Sequence, residues 1–130
     1  MIKLPIRRKY RNHAEYVLQC NVVKFLHSAL PKDCVFFHVP NGEERNLQAA
    51  IRLKKAGVLA GIPDLVFVYR GTVIFIEMKA GKGPMTESQK REFPRLEYAG
   101  FPVSICKSIA EVEDVLRPII PLRASTTVRG

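Results

Sequence analysis

Residues 61–83, GIPDLVFVYRGTVIFIEMKAGKG, constrain the fold more than any other stretch, because two apolar runs flank one short polar break. Runs rich in β-branched and aromatic residues are typical of strands, and the break at Arg70 and Gly71 predicts a hairpin with a two-residue turn. In that register Asp64 faces Glu77 across the strand pair. A longer loop would shift the register, so the pairing of these two carboxylates is a prediction.

Asp64 and Glu77 would then form a pair of like charges, which is destabilising unless a cation lies between them. Mg²⁺ suits such a pair, because it takes oxygen ligands and keeps several waters. Lys79 lies two residues beyond Glu77, so strand alternation puts it on the same face. The alternative is an ordinary charged strand end, but the run TVIFIE is apolar on both faces. The sequence therefore favours a metal site at the open end of the hairpin.

The balance of charge points to a partner. The chain has 21 lysines and arginines against 12 acidic residues, a formal net charge of +9. This favours a polyanion, with nucleic acid as the first expectation; the alternative is a basic protein whose charge only keeps molecules apart in solution. Its 130 residues, 47% hydrophobic and 25% charged, suit one globular domain.

Membrane and secretion signals are lacking in the sequence. No apolar run approaches the roughly 20 residues of a membrane-spanning helix, and no signal-peptide core follows the basic start, so we expect a cytosolic protein. Cys20, Cys34 and Cys106 show no zinc-binding spacing. We expect three buried thiols in a reducing compartment.

Capping and turn signals divide the rest of the chain into alternating helices and strands. The strands in addition to the hairpin are predicted at 34–39 and 101–106, and the helices at 13–30, at 43–56, from Thr86 to Gly100 and from Ser108 to about Arg117. Pro94 falls inside the third helix and predicts a kink or a very short first segment. The order indicates an α/β sandwich in which helices cover both faces of a mixed sheet.

Two polar side chains fall on helix faces that are predicted to be buried. Glu15 lies on the apolar stripe of the first helix, but its position three residues after Asn12 also suits capping, and both interpretations stay open. Thr86 and Gln89 form a capping box, and Gln89 lies over the buried stripe of its helix.

Basic residues concentrate in the N-terminal arm, residues 1–11, and in the second helix. The arm precedes a single predicted domain at 12–117 and a tail at 118–130. A solvated surface is the alternative for both groups, but phosphate contacts would hold a duplex without reading its sequence. The candidate DNA-binding residues are Arg7, Arg8, Lys9, Arg11, Arg45, Arg52, Lys54, Lys55 and Lys82.

The order of PD at 63–64, EMK at 77–79 and TESQ at 86–89 resembles the core motif of the PD-(D/E)xK nucleases. The longer pattern from GVLAGIPDLVF to GFPVSIC is similar to the VRR-Nuc branch of that superfamily, in particular to its small stand-alone viral and bacterial members. The resemblance covers about residues 12–117. It implies a restriction-endonuclease-like αβββαβ core, with a mixed central sheet flanked by helices.

The resemblance also implies a metal site. Asp64, Glu77 and the backbone carbonyl of Met78 would hold Mg²⁺, with Mn²⁺ as the alternative, and Glu15 would join through metal-bound water. Lys79 would orient or deprotonate the attacking water and offset charge on the phosphate.

Gln89 completes the set of catalytic residues implied by the resemblance, by supporting the site from its helix. The implied activity is that of a Mg²⁺-dependent DNA endonuclease, which hydrolyses phosphodiester bonds in branched, Holliday-junction-like DNA. A homodimer is expected, because symmetric cutting of two strands needs two sites. We expect it in the cytoplasm of a bacterium or of a virus-infected cell. The alternatives are a non-catalytic basic nucleic-acid-binding protein and a nuclease subunit of a larger repair or restriction assembly.

Overall fold

The computed structural model describes residues 13–40, 46–81 and 83–123. Their helices and strands are α1 His13–Ala29, β1 Cys34–His38, α2 Leu47–Lys55, β2 Leu65–Tyr69, β3 Thr72–Met78, α3 Glu87–Tyr98, β4 Val103–Cys106 and α4 Ile109–Leu116. The strands form one sheet in the order β1-β2-β3-β4, in which only β3 and β4 are parallel. The predicted α/β fold with a mixed sheet is confirmed.

The hairpin of β2 and β3 has the predicted register. Leu65 pairs with Ile76. Asp64, which precedes Leu65, and Glu77, which follows Ile76, are therefore cross-strand neighbours. Both residues of the Arg-Gly turn have positive φ, 43° and 82°. This conformation is typical of a two-residue turn whose twist matches that of the strands.

The main hydrophobic core lies between one face of the sheet and helices α1 and α4. Alternate residues of the hairpin, such as Phe67 and Ile74, share one buried cluster with Leu26 of α1 and Leu116 of α4. All four of these side chains are fully buried. The core therefore holds the two central strands rigidly from one side.

Helix α3 lies on the opposite face of the sheet. Glu77 alternates with the core-facing residues of β3 and accepts a hydrogen bond from Gln89 of α3. This second face is covered only in part, because Val35, Phe37 and Val68 remain 59%, 47% and 40% exposed. Helix α2 has no buried residue.

Helix α2 begins at Leu47, four residues later than predicted. Asn46 has an extended backbone, and its side chain accepts a hydrogen bond from the N–H of Ala49 over 2.7 Å. Because Asn46 is the N-cap, α2 cannot begin before Leu47. The far end agrees with the prediction, since Gly57 follows the helix with a φ of 104°.

Helix α3 runs without interruption through Pro94, so the predicted very short first segment is wrong. Its beginning is held by the predicted capping box between Thr86 and Gln89. Pro94 has no N–H, so the carbonyl of Lys90 loses its helical partner. Both residues lie on the exposed side of the helix, where water can replace the missing bond. Gly100, with a φ of 109°, follows the end of the helix.

The cysteines differ from the expectation of three buried thiols. Cys106 is buried, Cys34 is half-buried and Cys20 is exposed. Cys20 lies on the side of α1 away from the core, a position that the lack of a zinc motif could not indicate. Among the described residues, no helix is long and apolar enough to cross a bilayer.

Candidate active site

The two central strands end side by side at the predicted site, where two hydrogen bonds join them. The N–H of Asp64 donates to Oε1 of Glu77 over 3.1 Å, and the N–H of Met78 donates to Oδ2 of Asp64 over 3.1 Å. Each carboxylate is thus held by the backbone of the other strand. The structure brings together the two acids that the hairpin register paired.

Burial makes this carboxylate pair electrostatically unfavourable. Glu77 is 5% exposed. Its burial, and next to it the negative charge of Asp64, raise its pKa to about 8. Burial also raises the pKa of Asp64, although the N–H of Met78 opposes the shift. A cation beside the two carboxylates would relieve both effects.

Lys79 lies within reach of the same pair. It is only 6% exposed, and its N–H donates to the carbonyl of Cys106 over 2.9 Å, which ties its backbone to β4. Its positive charge lowers the pKa of both Asp64 and Glu77, although it does not outweigh their burial. Lys79 is therefore close enough to both carboxylates to act on them electrostatically.

Gln89 connects α3 to the site through both ends of its amide. Oε1 accepts from the N–H of Thr86 over 2.9 Å, and Nε2 donates to Oε2 of Glu77 over 3.1 Å. Since Oε1 of Glu77 already accepts from Asp64, both oxygens of this buried carboxylate are fixed. The capping box that begins α3 therefore also orients Glu77.

The loop that leads into β2 packs directly on the start of α3. Gly61 has a φ of 89°, and a Cβ atom at this position would lie 2.5 Å from the backbone of Ser88. Only glycine permits so close an approach. This contact places the residues that precede Asp64 against the helix that carries Gln89.

Glu15 lies near the pair on the half-buried side of α1. Its negative charge raises the pKa of both Asp64 and Glu77. Among the described residues, however, no three or more His, Cys, Asp or Glu side chains are arranged to hold a metal ion. The contact of Glu15 with a metal ion through water, which the resemblance implies, therefore stays a prediction.

His38 is a site neighbour that sequence reasoning missed. Its Nδ1 lies 3.0 Å from the carbonyl oxygen of Asp64, which also accepts from the N–H of Val39 over 2.7 Å. A carbonyl only accepts, so Nδ1 carries the proton. Nε2 of Gln19 is 3.5 Å from the same ring nitrogen. The only signal in the sequence was a polar residue near the end of the apolar run CVFFHV.

The candidate DNA-binding residues are only partly described. Arg52, Lys54 and Lys55 occupy the last turn of α2 and are exposed. Because α2 connects the end of β1 to the start of β2, it leads into the site. The basic arm, Arg45 and Lys82 lie outside the described residues, as do positions 124–130 of the predicted tail.

Known proteins share this sequence pattern and this fold. The family model described as the VRR-NUC domain matches residues 2–110. A solved structure named "VRR_NUC domain protein" is similar with a TM-score of 0.63 and 28% identity, over 79% of this chain and 84% of that one. A second, named "VRR_NUC domain", shares the fold with a TM-score of 0.52 and 20% identity, over 81% and 96% of the two chains. No curated protein matches the sequence.

Proposed function

Because the chain belongs to the VRR-NUC domain family, whose fold is of the nuclease type, we propose that it is a metal-dependent endonuclease that hydrolyses phosphodiester bonds in DNA. The observation that carries the proposal is the interlocked pair of Asp64 and Glu77. These buried carboxylates have raised pKa values and lie beside Lys79 at the open end of the hairpin. A purely structural role would be served better by apolar residues, because buried charges are costly.

The side chains present suit a hard cation such as Mg²⁺, with Mn²⁺ as the alternative. Asp64 and Glu77 offer oxygen donors. The N–H and C=O of one strand residue point to the same neighbouring strand, so the carbonyl of Met78 also faces the side of Asp64. When bound, Mg²⁺ would supply positive charge beside the scissile phosphate and acidify a water molecule. We assign Glu15 a contact through water.

Lys79 and Gln89 have distinct roles in this proposal. The ammonium group of Lys79 orients the attacking water and offsets the negative charge that develops on the phosphate, an effect that is strong in a site with little water. Gln89 does not touch the substrate. It holds Oε2 of Glu77 in place, so that the carboxylate does not have to reorganise during the reaction.

The substrate that we propose is branched DNA of the Holliday-junction type, cut by a homodimer in the cytoplasm of a bacterium or of a virus-infected cell. The family and the net charge of +9 support a DNA substrate. A two-fold dimer presents two sites to a symmetric junction, which suits paired cuts.

A cleavage panel tests this proposal. The wild-type protein is incubated with four-way, flap, splayed and linear DNA, with Mg²⁺, with Mn²⁺ and with EDTA, and its mass in solution is measured. We expect metal-dependent cleavage, with the four-way junction preferred. Lys79→Met should reduce cleavage by about 10²- to 10³-fold, while Lys24→Met, which removes an exposed cation of α1, should not.

Each alternative outcome has a separate meaning. Undiminished cleavage by Lys79→Met would reject the role of Lys79. Binding of DNA without cleavage under any metal condition would favour the non-catalytic binding protein. A mass equal to one chain would reject the homodimer.

A further inference from the structure

Helix α3 buries a glutamate between two exposed arginines. Glu92 is 2% exposed, and each of its carboxylate oxygens accepts from one arginine. Nε of Arg91 donates to Oε2 over 2.8 Å, and Nη1 of Arg95 donates to Oε1 over 2.7 Å. The arginine side chains themselves are 59% and 68% exposed. These hydrogen bonds hold the pKa of Glu92 below its usual value.

Stability alone does not explain this arrangement. Replacing a buried ion pair or triad by packed apolar residues is often neutral or stabilising. Glu92 does, however, fix the direction of two guanidinium groups. Each guanidinium group uses one nitrogen to bind Glu92, and its other N–H groups stay available to a ligand. The two positive charges exceed the single negative charge of Glu92. Fixed guanidinium groups match the oxygens of a phosphate.

The position of the pair along α3 relates it to the candidate active site. Gln89, which bonds Glu77, and Glu92 are three residues apart and thus on the same side of the helix. At a rise of about 1.5 Å per residue, they are about 4.5 Å apart along the helix axis. Arg91 and Arg95 lie together on one side of Glu92, three and seven residues after Ser88, so they share the side of α3 that packs against the loop leading into β2. Since that loop leads to Asp64, DNA bound at the carboxylate pair would lie next to this side of α3.

We propose that Arg91 and Arg95, oriented by Glu92, form a binding site for a backbone phosphate next to the scissile bond. This inference rests on the proposed function, because it needs DNA at the carboxylate pair. The sequence assigned phosphate contacts to the N-terminal arm, to α2 and to Lys82. The structure adds the surface of α3 beside the site.

A matched control lies on the opposite face of the sheet. On α4, the buried Glu113 accepts from the exposed Arg117 in the same way. Helix α4 packs on the core side with α1. Arg117→Gln therefore removes the same charge and the same kind of ion pair as Arg91→Gln or Arg95→Gln, but on the other face of the sheet from Gln89.

The test compares DNA binding by the full chain and its variants in EDTA, so that no cleavage occurs. Affinity for a four-way junction is measured by fluorescence anisotropy between about 50 and 200 mM salt. Arg91→Gln and Arg95→Gln should each weaken binding about tenfold and reduce the slope of log K against log salt by about one. Arg117→Gln should change affinity by less than about twofold, the effect of a distant surface charge.

A second set of variants retains the charge. Arg91→Lys and Arg95→Lys keep an ion pair with Glu92 but cannot bridge it to a phosphate as a guanidinium does, so each should weaken binding about threefold with little change of salt slope. Thermal unfolding reports whether each variant is folded, and the lysine variants decide the question if a glutamine variant is not.

The results separate this inference from the proposed function. Equal losses for Arg117→Gln and the α3 variants, or wild-type affinity in the α3 variants, would overturn the phosphate site. A wild-type protein that binds no DNA would overturn both proposals. A protein that binds DNA through Arg91 and Arg95 but never cleaves it would leave the phosphate site intact and reject the nuclease.

Discussion

The N–H of Asp64 donates a hydrogen bond to Oε1 of Glu77 over 3.1 Å, so the backbone of one strand fixes the carboxylate of the next. The reverse contact, from the N–H of Met78 to Asp64, holds the second carboxylate. The fold thus keeps two acids together that repel each other when ionised. The hydrogen bonds maintain the geometry, and the electrostatic cost remains until a cation or protons arrive.

The stability of the metal-free protein should fall as the pH rises. The pKa of Glu77 in the folded protein is about 8 instead of 4.5. Folding therefore favours the protonated form, and between about pH 4.5 and pH 8 the folded state binds more protons than the unfolded state. We expect the free energy of unfolding in EDTA to decrease over this range, by up to about 1.4 kcal/mol per unit of pH. Mg²⁺ should restore stability near pH 8 more than near pH 5.

Denaturant unfolding across this pH range measures the slope. Glu77→Ala should flatten it relative to the wild type, whatever the variant loses in absolute stability. The control is Glu87→Ala, which removes an exposed carboxylate at the start of α3 and should leave the slope unchanged. Identical slopes for the wild type and Glu77→Ala would contradict a raised pKa at Glu77.

His38 should act on the site through the backbone of Asp64. His38→Leu removes the Nδ1 donor that lies 3.0 Å from the Asp64 carbonyl, whereas the amide nitrogen of an asparagine can replace that donor. We expect His38→Leu to weaken Mn²⁺ binding, measured by calorimetry, and to lower cleavage at limiting metal about tenfold, equivalent to one hydrogen bond of about 1.4 kcal/mol.

His38→Asn should recover most of both properties. Rescue by the smaller polar side chain distinguishes the loss of a hydrogen bond from the loss of the packing of the imidazole ring. Equal defects in His38→Leu and His38→Asn would show that the ring itself, and not its donor, supports the site.

How much of the site the sequence predicted depends on how far apart along the chain the interacting residues lie. The Arg-Gly turn set the register that pairs Asp64 with Glu77, and the signals for Gln89 lie three residues apart in one capping box. His38 reaches Asp64 only because β1 pairs with β2 across the intervening α2, a long-range pairing that no local pattern encodes. The burial of Glu92 could not be predicted from the sequence either. The stretch QKREF is typical of a solvated helix, and only packing against the sheet buries that one carboxylate.

Gly61 should be far less replaceable than Gly71, although both have positive φ. Alanine at 71 meets no atom within 4 Å and bears only the backbone strain, about 1–3 kcal/mol. Alanine at 61 bears the same strain and also overlaps the backbone of Ser88, at 2.5 Å. We expect Gly61→Ala to lose at least about 2 kcal/mol more free energy of unfolding than Gly71→Ala. Denaturant titration of both variants measures this difference, and equal losses would show that the loop can move away from α3.

Gln89→Glu should turn a supporting contact into a repulsive one with almost no change of shape. Glutamate can still accept from the N–H of Thr86 as the third residue of a capping box, so the start of α3 is preserved. Its second oxygen, however, replaces the amide that donates to Oε2 of Glu77 and puts a third negative charge beside the pair. We expect the variant to lose about 1–3 kcal/mol of stability in EDTA near pH 8, and less near pH 5, where one of the carboxyl groups is protonated.

Gln48→Glu, at an exposed position of α2, adds the same charge and should have little effect at either pH. A loss in Gln89→Glu that is the same at both pH values would mean that the amide shapes the helix start and does not hold Glu77.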